Sequence, residues 1–118
     1  MKFDKQAALV SRLYKATNES KLDWRPSPVD DAVMVSFPNY TVVLSKTKGD
    51  NYLLDLVNDA GETADSFYDT QLDSAVDLPP PPIGGLWHHT MRETYAMAKR
   101  RASGSDQALD DILKELGE

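Results

Sequence analysis

Residues 32–68 read AVMVSFPNYTVVLSKTKGDNYLLDLVNDAGETADSFY, and their spacing decides the fold. Apolar residues recur at every second position: Val33, Val35 and Phe37 share one strand face, and Tyr40, Val42 and Leu44 share another. A period of two is the pattern of strands with one buried face. Pro38 breaks the run, because it has no amide hydrogen to give a ladder and so belongs at a bend, a bulge or an edge. FPNY reads either as a tight turn or as a kink in one long strand. KTKGDN and DAG read as turns, and YLLDLVN and ETADSFY as strands. Connections this short pair neighbouring strands antiparallel. An antiparallel meander of three or four strands is expected.

Outside this stretch the period lengthens to that of helices. Upstream, Phe3, Ala7, Val10 and Tyr14 fall on one face of a helix over residues 3–17, widened by Leu9 and Leu13. LDWRPSPVDD then forms a proline-marked connection, with Leu22 and Trp24 expected to fold back onto the domain. Downstream, DTQLDSAVD suits a helical turn, since Leu72, Ala75 and Val76 share a face. The tract PPPPIGG makes residues 79–85 a crossover, whose four prolines span about 12 Å as polyproline II. A helix over 86–102 places Trp87, Met91, Tyr95, Ala98 and Ala102 on one stripe, with Lys99, Arg100 and Arg101 complementing the dipole at its end. Gly104 terminates it. A last helix over 105–116 follows, with Leu109, Ile112, Leu113 and Leu116 at i, i+3, i+4 and i+7. The expected fold is one α+β domain, with the two C-terminal helices packed on one sheet face.

A chain of 118 residues with 41% hydrophobic and 27% charged side chains is long enough for one core. The absence of cysteine removes disulfides, thiol nucleophiles and zinc–thiolate sites together. No apolar run approaches the roughly 20 residues of a membrane span, and MKFDKQAALV does not read as a secretory signal. A cytoplasmic setting is expected. The net charge is −6, unevenly spread: residues 49–91 carry eight acids and no Lys or Arg, whereas 1–25 and 92–101 are net basic. Nucleic acid and anionic membranes repel such a chain, so neither is an expected partner.

The only two histidines, His88 and His89, adjoin at the start of the third helical segment. Neighbours on a helix project about 100° apart, so His88 borders the apolar stripe while His89 faces away. Such diverging rings do not share an ion, and His89 with Glu93 makes only two ligands, short of a zinc set. No metal and no cofactor is expected. GxSxG, GxGxxG and a P-loop are all missing, so catalysis is not expected either. Gly84 and Gly85 before a helix start offer amide groups to a small anion, with His88 and His89 as further donors. Their plainer use is as a swivel into the helix, anchored by Trp87. On that reading Trp87→Ala costs several kcal/mol and loss of both histidines costs little. Pro79 and Pro82 satisfy PxxP, but the nearest following basic residue is Arg92, so the tract reads as a spacer.

Glu62, Asp65, Asp69, Asp73 and Asp77 remain, the last three at steps of four. Together they read as an acidic surface for a basic protein partner. The expected function is non-catalytic protein binding, as an inhibitor, adaptor or antitoxin-like partner. The alternatives are anion binding at Gly84–His89, or a homo-oligomer in which the basic helix end at 92–101 meets a neighbour's acidic segment.

Overall fold

The computed structural model describes residues 2–117. Its elements are α1 (Asp4–Asn18), β1 (Arg25–Pro26), β2 (Ala32–Ser36), β3 (Tyr40–Lys46), β4 (Tyr52–Asn58), β5 (Thr63–Tyr68), α2 (Asp69–Ser74), α3 (Trp87–Ala102) and α4 (Ser105–Glu115). The strands form one antiparallel sheet in sequence order, β1-β2-β3-β4-β5. The architecture is α+β, as the alternating pattern requires.

There are five strands rather than three or four, for two reasons. Arg25 and Pro26, inside the proline-marked connection, pair with Met34 and Val33 and add a short edge. Pro38 and Asn39 form a tight turn, so the run splits into β2 and β3. The Phe37 amide donates to the Tyr40 carbonyl at 2.7 Å, and the Tyr40 amide returns a bond at 3.3 Å. A two-residue reversal brings the second strand back with its alternation in step with the first. Val33 therefore faces Leu44 and Val35 faces Val42, and the two apolar sets share one face instead of two. Phe37 and Tyr40, at the turn, stay exposed.

That face carries the core row Val33, Leu44, Leu54 and Phe67. α1 and α3 lie against it. α1 buries Ala7, Val10, Leu13 and Thr17, so its buried centre is shifted from the expected one and Tyr14 is only half-buried. α3 buries Trp87, Met91, Tyr95 and Ala98 as expected, joined by Thr90 and Thr94. The Thr94 hydroxyl donates to the Thr90 carbonyl at 2.8 Å, which lets a polar side chain sit in the core. Trp24 is buried too, its indole N–H donating to Thr17 Oγ1 at 3.0 Å.

α4 differs from every other helix. None of its residues is buried. Leu109, Ile112, Leu113 and Leu116 are 52, 57, 47 and 74% exposed. Because α4 stands away from the core, the radius of gyration is 15.2 Å, against about 13.5 Å for a compact chain of this length.

Candidate functional site

The acidic segment does not form one surface. Glu62 and Asp77 are exposed. Asp65 lies half-buried, opposite Leu56 on the core side of the sheet, and its Oδ2 accepts a bond from Gln6 Nε2 of α1 at 2.9 Å. Asp69 is completely buried. Asp73 is turned toward α3. The reason is the geometry of α2: Asp69, Leu72 and Asp73 are three and four apart, so they share the face that Leu72 buries.

Both inward carboxylates hold the start of α3. Leu86 at the N-cap position has no side-chain oxygen to satisfy the first amides of the helix. Asp73 does so from 14 residues away: Oδ1 accepts from the Trp87 amide at 2.5 Å, and Oδ2 from the His88 amide at 3.0 Å. Asp69 Oδ1 accepts from the Thr70 amide at 2.9 Å, and Oδ2 accepts from His88 Nδ1 at 2.5 Å. His88 is thereby oriented by a buried carboxylate. It packs on the Tyr52 ring at 5.5 Å between centroids. Among the described residues no Ser or Thr hydroxyl is hydrogen-bonded to His88.

Gly84, Gly85, His88 and His89 come together, but as parts of this joint. The Gly84 carbonyl accepts from His89 Nδ1 at 2.8 Å. A Cβ on Gly84, whose φ is +72°, would stand 2.5 Å from that same nitrogen. The two histidine rings meet edge-on at 5.7 Å rather than diverging, yet each spends its Nδ1 on a different oxygen. The anion position at the helix start is filled by the chain's own Asp73. Among the described residues no group of three His, Asp or Glu is placed to hold a metal ion, and no helix is long and apolar enough to cross a membrane.

A groove of about 440 Å³ between α3 and the β3–β4 hairpin was not among the expectations. Tyr52, Tyr95 and Ala96 line it together with the cations Lys46, Arg92, Lys99 and Arg100, and Ser103 and Ser105 close the end where α4 begins. On α3 these residues continue the His88 face, at His88, Arg92, Tyr95, Ala96 and Lys99, a helical spacing readable in principle. The Tyr52 and Tyr95 rings pack at a tilt of 51°, 5.5 Å between centroids. Burial pushes the Tyr52 phenol above its ordinary value, against the opposing pull of Lys46 and Arg92. The Tyr95 hydroxyl, 3.3 Å from Lys99 Nζ, holds that ammonium above the usual lysine value. Lys46, Lys99 and Arg100 also meet Asp50, Asp31 and Asp106 at 3.5, 3.7 and 2.8 Å. All three pairs are solvent-exposed, so each contributes little and can exchange partners.

The other unusual surface is α4. Leu109, Ile112, Leu113 and Leu116 make one stripe, Asp106 and Asp110 border one side of it, Glu115 borders the other, and Asp111 and Lys114 lie on the back. No family model, curated protein or solved structure matches this chain.

Proposed function

We propose that this chain is a non-catalytic protein-binding domain whose contact element is α4. The partner it suits is a protein with an apolar groove rimmed by Lys or Arg. One observation carries this reading: four large aliphatic side chains in register on a helix that buries none of its residues. A contiguous exposed apolar stripe edged with charge is typical of an interaction site, and helix-in-groove recognition uses this i, i+3, i+4, i+7 spacing. Fully burying a large aliphatic side chain contributes about 1.5–3 kcal/mol. The four are already about half covered, so docking adds roughly 3–6 kcal/mol in all. It also steadies an 11-residue helix, a length that is marginal in water on its own.

The acidic character expected of the interface is kept, but its centre moves from residues 62–77 to α4. Glu62 and Asp77 remain available as outlying acids, while Asp69 and Asp73 have their oxygens engaged within the fold. The test replaces Leu109, Ile112, Leu113 and Leu116 by Gln, which preserves helix propensity. In dilute, high-salt solution the variant should melt within a few degrees of the parent, while association seen by sedimentation or crosslinking disappears. A large fall in melting temperature would assign the stripe to the chain's own core, and surviving association would remove α4 as the contact element.

A further inference from the structure

Resting on the reading of α4 as the contact element, we infer that its partner is a second copy of this chain, with each α4 lying in the other copy's groove between α3 and the β3–β4 hairpin. The chemistry of the two surfaces is complementary. The groove is lined by Tyr52, Tyr95 and Ala96 together with four cations. α4 offers an aliphatic stripe inside margins of Asp106 and Asp110 on one side and Glu115 on the other, with Asp111 and Lys114 together on its back. In a chain of net charge −6, this groove gathers Lys46, Arg92, Lys99 and Arg100 around apolar side chains.

Dimensions agree as well. From Arg92 to Ser103 the groove follows 11 helical steps of α3, about 16 Å at 1.5 Å per residue. α4 has 11 residues and the same length. Its own stripe is held off its own groove by the way it departs from α3. Arg100 binds Asp106 at 2.8 Å, Ser103 Oγ meets Ser105 Oγ at 2.7 Å, and Gly104 turns the chain at φ 73°.

Reciprocity follows from symmetry. If one α4 occupies a neighbour's groove, a two-fold axis places the neighbour's α4 in the first groove, and the assembly closes at two. One helix face about 16 Å long and 10 Å wide is small beside the roughly 800 Å² that each partner buries in a stable interface. Exchange enlarges the contact, since every chain gives one helix and receives another.

The test is a charge swap followed by sedimentation velocity over a dilution series at low salt. One variant reverses the groove cations (Lys46→Glu, Arg92→Glu, Lys99→Glu), and the other reverses the margins of α4 (Asp110→Lys, Glu115→Lys). The parent should be dimeric, and each variant alone should self-associate at least roughly tenfold more weakly. An equimolar mixture should recover the dimer, because each reversed helix then meets a groove of opposite sign. A monomeric parent at all concentrations, or a dimer indifferent to the groove reversal, overturns the inference. Where a dimer ignores the groove reversal, its loss on Gln substitution of the stripe keeps α4 as the contact element with another seat; where the parent is monomeric, crosslinking to other proteins that is lost on Gln substitution keeps α4 with another occupant. Association unaffected by the stripe removes both.

Discussion

Asp69 is the one acidic or basic side chain, phenols aside, that is buried among the described residues, and a buried carboxylate is costly unless it is paired and hydrogen-bonded. His88 and the Thr70 amide are what make its position tenable. Removing His88 leaves one oxygen of that carboxylate without its donor, so His88→Ala should destabilise by about 1–3 kcal/mol, the cost of a buried acceptor left unsatisfied. Urea unfolding measures it, and a loss under about 1 kcal/mol would mean the carboxylate is relieved some other way. This departs from the expectation that both histidines are dispensable, with Trp87→Ala still the costlier change. Asp69 was hard to single out because it is one of several evenly spaced aspartates. The readable signal was that Leu72 and Asp73 stand three and four residues beyond it, so an apolar and an acidic pattern coincide on one face of a short helix. Charge spacing alone gives the face and says nothing of whether the face is covered.

At the scale of elements, the start of α3 shows how a local rule is satisfied from a distance. Leu86 is a poor N-cap, and the missing oxygen comes from α2. Asp73→Ala should cost about 1–2 kcal/mol, the range of a lost N-cap, and should loosen the first turn of α3, seen as faster amide exchange at Trp87 and His88. Unchanged exchange there would show that water substitutes for the carboxylate. Periodicity located α1, α3 and α4 within a residue or two of their ends, because each has an apolar stripe over several turns. The strand pattern was equally clear. What it left open was FPNY, since a proline permits both a turn and a kink, and only the pairing of Val35 with Val42 selects the turn. The groove was invisible for a different reason: Lys46 and Tyr52 reach it from a hairpin whose approach to α3 depends on the packing of the whole sheet.

The whole molecule divides into a packed body and a projecting helix. The body holds the sheet, α1, α2, α3 and the connection that carries Trp24, and every core side chain lies in it. A chain ending at Ser103 should therefore keep its fold. In dilute, high-salt solution its melting temperature should fall by no more than the 4–8 °C that corresponds to about 1 kcal/mol, while its radius of gyration drops toward about 13 Å. Circular dichroism and small-angle scattering check both, and collapse of the shortened chain would show that α4 is needed by the body. The amphipathic pattern of α4 predicted a helix and a buried face. It did not say in which molecule that face is buried, because hydrophobic period is a property of one element and contact a property of two.

The Asp73 clamp also constrains the order in which the chain can assemble. Its two ends are 14 residues apart, and the segment between them contains the stiff run Pro79–Pro82, which has less freedom to lose than a flexible loop of that length. Until β5 and α2 are in place, α3 begins with amides that nothing in its own sequence satisfies. Nucleation is the costly step for any helix, and here it is tied to a carboxylate carried at the end of the sheet. The first turn of α3 thus gains its last hydrogen bonds only with the meander in place, which couples the helix layer to the sheet.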